Sequence, residues 1–201
     1  MTSRRFSLAN PTPAHEVEKR LQESILTKQK VLQSLVPVIA QAADLLISSL
    51  QAGKKVMLCG NGGSAADSQH VAAELVGKLF VKRRALPAIA LTTDTSNLTA
   101  LANDFSYDVV FSRQIEALGQ AGDVLIAIST SGNSPNILEA VKTAKTMGIR
   151  SIGLSGRDGG ALHKAVDLSI VVPSENTQRI QESHLTIEHI LCELIEARFS
   201  N

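Results

Sequence analysis

Apolar residues recur along the chain in two periods, and the change from one to the other marks out the elements. From residue 15 to 35, Val17, Leu21, Ile25, Leu32 and Leu35 follow at three-, four- and seven-residue steps with a polar gap at Lys28, which predicts an amphipathic helix. Pro37 restarts the chain, and Val38, Ile39, Ala42, Leu45, Leu46 and Leu50 predict a second helical face that ends at Gly53, a C-terminal cap. Both stripes suit packing on a sheet or on another subunit, and burial in the chain's own core is the expectation. Short apolar runs then take over: residues 56–59, 87–91, 124–128, 150–154 and 168–172 read as buried strands. Helices are expected from residue 64 to about 80, briefly within 92–104, and over 107–118, 135–147 and 178–199. Residues 1–13 are polar, carry Pro11 and Pro13 and show no period, so they read as a disordered tail before a single domain over 14–201.

Short strands alternating with helices require crossover connections, and hence a parallel sheet covered on both faces. The fold class is α/β: a three-layer sandwich with a central five-stranded parallel sheet, doubly wound, and two leading helices. Ligands of such sheets collect beyond the carboxyl ends of the strands. Two loops lie there, Gly60-Asn61-Gly62-Gly63-Ser64 and Ser129-Thr130-Ser131-Gly132-Asn133-Ser134. The second follows a buried strand with four hydroxyls and a glycine just where a helix begins. Unpaired backbone N–H groups and the helix dipole converge at such a point, which suits a phosphate. An ordinary turn capped by Ser134, with Pro135 in the first helical position, accounts for the same residues.

Composition narrows the partners. With 201 residues and 44% hydrophobic content the chain can fill one core, and a formal net charge of +1 offers no broad basic field for nucleic acid. Five Phe, one Tyr and no Trp leave little surface for stacking bases. No apolar run reaches membrane-span length and the first residues lack a signal-peptide core, so the expectation is a soluble, cytoplasmic protein with no direct nucleic acid or membrane partner. Cys59 and Cys192 show neither metal spacing nor a disulfide framework and read as buried thiols. The run Lys82-Arg83-Arg84 reads as a solvated loop.

Gly60-x-Gly62-x-x-Ala65 matches a dinucleotide fingerprint only weakly, because the acidic residue expected about 20 positions on is missing. No Walker lysine follows the glycines either. In the next helix His70 and Glu74 lie on one face, about 40° apart, where they could hold a metal, move a proton or simply form a surface pair. In the last helix Gln181, His184 and His189 are polar candidates. Ile187, Ile190, Leu191, Leu194 and Ile195 share the main apolar face, and His189 points almost opposite. Helix geometry does not choose between His184 and His189.

The segment from Gly122 through Asp123-Val-Leu-Ile-Ala-Ile-Ser-Thr-Ser-Gly-Asn to Ser134, together with Cys-Gly-Asn-Gly-Gly-Ser64 and Arg179-Ile-Gln-Glu182, resembles the sugar isomerase (SIS) family, and within it the phosphoheptose isomerase branch. The resemblance runs from about residue 16 to 199. It implies a flavodoxin-like fold and a cytoplasmic homotetramer that converts the sugar phosphate sedoheptulose 7-phosphate into D-glycero-D-manno-heptose 7-phosphate for the lipopolysaccharide core. By that similarity Ser129, Thr130, Ser131 and Ser134 hold the phosphate. Asn61, Gly62, Gly63, Ser64, Glu74, Asn103, Asp104 and Gln181 line the sugar, and His70, Glu74, Gln181 and His189 hold one zinc ion per subunit. The resemblance, not the helical wheel, selects His189.

Moving a carbonyl between adjacent carbons needs a base alpha to the carbonyl, an acid for the oxygens and stabilisation of the enediolate. Glu74 is assigned as base and His189 as its acid/base partner, although a carboxylate bound to zinc is a poorer free base. Gln178 stands where some members are acidic and is assigned no role. A non-catalytic relative, a tetramer that binds an initiator of DNA replication, resembles the chain along its length but lacks the matching Glu and His. A sugar-phosphate-sensing transcription regulator of this fold would need an added DNA-reading domain, which the two leading helices do not supply.

Overall fold

The computed structural model describes residues 12–200. Helix α1 (Pro13–Ser34) and α2 (Val36–Gln51) lead into strand β1 (Val56–Gly60), α3 (Gly63–Val76), β2 (Ala88–Ala90) and α4 (Thr95–Asp104). A 3-10 turn (Tyr107–Val109) precedes α5 (Ser112–Leu118), β3 (Val124–Ile128), α6 (Pro135–Thr146), β4 (Arg150–Gly156), the short α7 (Leu162–Ala165), β5 (Leu168–Val172) and the long α8 (Thr177–Phe199). The sheet order is β2-β1-β3-β4-β5 with every pairing parallel, the doubly wound order expected of a flavodoxin-like sheet.

Alternation along the strands builds the three layers. Val56 and Leu58 of β1 with Val124, Ile126 and Ile128 of β3 face α2, α3 and α8, while Met57, Cys59, Leu125 and Ala127 face α5, α6 and α7. Both cysteines are buried thiols, each pushed by burial to a pKa of about 12. No single helix among the described residues is long and apolar enough to cross a membrane.

Several expectations are corrected. Residues 1–11 of the expected tail lie outside the described residues, but Thr12 and Pro13 belong to the start of α1, where Thr12 Oγ1 accepts from the His15 N–H at 3.3 Å. The stripe of α1 is not in the core: Val17, Leu21, Ile25 and Leu32 are 57–70% exposed, while the helix meets α8 through polar contacts at Arg20 and Ser24 and rests on the core at Val31. Helix α3 stops at Val76 rather than near 80, because Gly77 leaves helical geometry. The helix expected over 107–118 is split at Val110 and Phe111, which turn inward to the core. On α8 Ile187, Leu191 and Ile195 are buried, whereas Ile190 and Leu194 are exposed.

Candidate active site

Strands β1 and β3 are neighbours with Gly60 opposite Ile128, so the loops that follow them lie side by side at the carboxyl edge of the sheet. They are joined by a reciprocal amide pair. Asn61 Nδ2 donates to Asn136 Oδ1 and Asn136 Nδ2 donates to Asn61 Oδ1, each at 2.9 Å, and the Tyr107 hydroxyl adds a donor to Asn61 Oδ1 at 3.2 Å. Asn136 is 2% exposed, so its amide has no bulk water to fall back on.

The hydroxyl loop is held by its neighbours rather than by a cation. Ser129 Oγ and Ser134 Oγ are 3.0 Å apart, the Gly132 N–H donates to the Ser129 carbonyl at 2.9 Å, and the Asn133 N–H donates to Ser131 Oγ at 3.2 Å. The turn after β4 closes over it: the Leu162 N–H donates to the Gly132 carbonyl, and the Ala161 N–H to Asn133 Oδ1, both at 2.9 Å. Gly132 has φ +66°, and a Cβ there would stand 2.0 Å from the Gly159 carbonyl oxygen. Thr130 and Ser131 remain half-buried at the open side of the loop.

A second centre forms where α3 meets α8. Ser64, Ser68, Val71 and Leu75 make the buried stripe of α3, and His70 and Glu74 sit one residue before its last two members, at the rim of the helix contact. His189 takes the same rim position on α8, beside buried Glu188. His70 Nε2 and His189 Nε2 are 2.8 Å apart with the rings edge to face, and His70 Nε2 is 3.7 Å from Glu74 Oε1. One donor atom from each of the three lies within 4.8 Å of the others. Gln181 stands two turns before His189, about 12 Å along the axis. A Cβ on Gly63 would be 2.6 Å from Gln181 Nε2, so glycine at the start of α3 is what admits this amide.

Beneath the cluster the α3–α8 contact is polar. Burial, reinforced by the Asp67 carboxylate, pushes Glu188 up to about 8, and burial raises Asp67 against the pull of His70. His184 is fully buried, and its Nε2 lies 3.0 Å from the Ser155 carbonyl oxygen. A carbonyl only accepts, so Nε2 carries the proton. Burial lowers His184 to about 4, partly offset by that hydrogen bond. His184 is therefore a neutral core residue.

A SIS-domain family model matches residues 21–156. The chain belongs to the SIS-domain family. It is 55% identical over 183 residues to a phosphoheptose isomerase of Nitratiruptor sp., covering 91% of this chain and 98% of that protein. Its fold superposes on phosphoheptose isomerase GmhA from Neisseria gonorrhoeae with a TM-score of 0.88 at 47% identity, covering 92% of this chain and all of that one. A phosphoheptose isomerase from Francisella tularensis gives a TM-score of 0.90 at 39% identity over 93% of this chain and 100% of that chain.

In this SIS domain the residues selected from the sequence fall into three groups. Ser129, Thr130, Ser131 and Ser134 share one loop, and Asn61, Gly62, Gly63 and Ser64 the neighbouring one, with Ser64 buried against the core side of α3. His70, Glu74 and His189 converge, and Gln181 closes on Gly63. Asn103 and Asp104 end α4, exposed and hydrogen-bonded to each other, just before the turn that brings Tyr107 to Asn61. Sequence reasoning missed Asn136, Tyr107 and Arg83. Asn136 sits one residue into a helix start and looks like any polar first-turn residue. Arg83, placed in a solvated charge run, has a side chain only 1% exposed.

Proposed function

We infer that the chain catalyses the phosphoheptose isomerase reaction, converting sedoheptulose 7-phosphate into D-glycero-D-manno-heptose 7-phosphate, which supplies heptose to the lipopolysaccharide core. The observation that carries this reading is the convergence of His70, Glu74 and His189 on two helices, one of which starts at the loop paired with the hydroxyl loop. An enzyme that moves a carbonyl along a phosphorylated sugar needs both parts, one to hold and one to transfer protons.

Ser129, Thr130, Ser131 and Ser134 grip the phosphate through hydroxyls and the N–H groups at the start of α6, where the helix dipole favours an anion. Asn61, braced by Asn136 and Tyr107, keeps an amide N–H free to meet a sugar hydroxyl, alongside Asn103 and Asp104. Gly62 and Gly63 let the backbone approach the sugar, with Ser64 behind them. Glu74 takes the proton alpha to the carbonyl, and His189 serves the oxygens between which the carbonyl moves.

The donor set suits a zinc ion, one per subunit: two imidazole nitrogens and a carboxylate oxygen lie within 4.8 Å of one another, and loss of the proton shared between the two rings would free both nitrogens as ligands. His70, Glu74 and His189 would hold it, with the Gln181 amide oxygen as the further ligand. Bound there, zinc supplies charge that polarises a carbonyl oxygen and steadies the developing enediolate. A Glu74 carboxylate engaged in that way is less basic, which divides its two roles between stages of the cycle.

The assembly is a cytoplasmic homotetramer. The exposed apolar residues Val17, Leu21, Ile25 and Leu32 of α1, with Leu185, Ile190 and Leu194 of α8, support other copies of the chain as their cover.

The test is to incubate purified protein with sedoheptulose 7-phosphate and follow product by NMR, with and without a chelator. Turnover that the chelator stops and zinc restores is expected. No turnover with zinc supplied rejects the reading.

A further inference from the structure

The segment that returns from α3 to β2 is fastened from inside by a buried ion pair. Arg83 Nη1 donates to the Leu75 carbonyl at 2.9 Å and to the Arg84 carbonyl at 3.0 Å, and Arg83 Nη2 donates to the Glu74 carbonyl at 2.7 Å. Its Nε faces Glu196 Oε1 at 3.4 Å, with both side chains no more than 3% exposed. Glu196 in turn accepts the N–H groups of Leu79, Phe80 and Val81 at 2.8, 2.6 and 3.2 Å. Burial pushes the Glu196 carboxyl up, but those three N–H groups and Arg83 outweigh it and hold it below its usual value.

Two features place this pair in the service of the site. Glu74 and Leu75 belong to the last turn of α3, where carbonyls have no partner within the helix, and that turn has no basic side chain of its own. Arg83 supplies the missing donors, and the partner of the Glu74 carbonyl is its guanidinium. Glu196 stands seven residues beyond His189 on α8, a step of two turns that returns to within about 20° of the same face. The ion pair therefore clasps the end of the helix that presents His70 and Glu74 to the helix that presents His189.

We propose that Arg83, held by Glu196, is a positioning residue that fixes the last turn of α3 so that the Glu74 carboxylate meets His70 and His189. The planar guanidinium reaches two successive helix carbonyls and a carboxylate at once, which the single ammonium of lysine does not. The proposal rests on the isomerase reading of Glu74.

The test uses full-length Arg83→Lys, which keeps the charge opposite Glu196, and Glu196→Gln, which keeps an oxygen for the N–H groups of residues 79–81. Thermal melts by circular dichroism select the folded variants. Arg83→Lys is expected to lower kcat about 10-fold or more with KM within about 2-fold, and Glu196→Gln about 3-fold in the same pattern. Zinc affinity, read by chelator competition, falls about 10-fold in Arg83→Lys but not further when Arg83→Lys is added to Glu74→Gln, because the two substitutions act through one group. Parental kcat in folded Arg83→Lys and Glu196→Gln, beside an inactive Glu74→Gln, overturns the proposal. So does a zinc loss that multiplies in the double variant. A failure of the isomerase reading itself shows separately, as a parental protein that gives no turnover with zinc supplied.

Discussion

The Nε2 atoms of His70 and His189 lie 2.8 Å apart although the residues are separated by 119 positions, and Glu74 stands beside them on the turn after His70. Two helices on one face of the sheet, α3 and α8, thereby make a site that neither contains alone. The hydroxyl loop after β3, proposed as the phosphate grip, is a separate part of the same carboxyl edge.

This division predicts a split in kinetics. His189→Gln should reduce kcat by about 100-fold or more with the fold intact, the usual loss when an acid/base group is removed. Ser134→Ala should instead raise KM several-fold with little change in kcat, since the phosphate is held equally in ground and transition states. Steady-state kinetics on the two variants checks this; a kcat defect confined to Ser134→Ala would reverse the assignment.

His184 makes a prediction about pH. The unfolded imidazole takes up a proton near 6.5, whereas the buried ring resists it until about 4. At His184 the folded state thus binds fewer protons between those values, and this residue's contribution to stability is full above about 6.5 and falls as pH drops toward 4, by up to about 3 kcal/mol, against the opposite trend of Glu188. Urea unfolding should show the stability of the parental protein falling relative to that of His184→Gln, whose amide can still donate to the Ser155 carbonyl, between pH 7.5 and 4.5. The same pH dependence in both proteins would remove His184 as the cause.

Gly132→Ala should damage the hydroxyl loop and the fold together. The new methyl would meet the Gly159 carbonyl at 2.0 Å in a left-handed backbone conformation, so the loop and the turn after β4 must separate. A loss of about 2–4 kcal/mol is expected, with KM raised at least 10-fold in whatever protein folds. Chemical denaturation and initial rates measure both, and a parental melting curve would contradict the packing described here.

Asn136→Leu should leave Asn61 Nδ2 without its partner at the junction of the two loops, with only the Tyr107 hydroxyl still on Oδ1, costing about 1–3 kcal/mol. The reciprocal hydrogen bonds also fix the amide of Asn61, the residue proposed to meet the sugar, so kcat/KM should fall beyond what the melting temperature explains. Asn61→Leu/Asn136→Leu, in which no amide is stranded, should recover stability but not activity. Recovery of both would reduce the pair to a structural role.

Much of this was written locally. The apolar runs with their bounding glycines and serines located all five strands, and parallel pairing followed because each connection was long enough to cross over. The hydroxyl loop and the glycine loop could be placed at one edge because each follows a strand of a parallel sheet, whose strands all end at the same edge. His70 and Glu74 could be put on one face by spacing alone.

Other residues were decided by what the fold brought opposite them. His184 and His189 are both polar positions on α8, yet one meets the Ser155 carbonyl inside the core and the other meets His70 at the rim. Arg83 stands between two other basic residues in the sequence, and its burial depends on a carboxylate from the end of the chain. The α1 stripe has the period of a core helix but lies mostly uncovered. Periodicity reports how a residue is oriented on its own element; the sequence by itself therefore determined the elements, the sheet and the family's loops. Which side chains became partners depended on distances across the packed layers, and only the tertiary structure decided those.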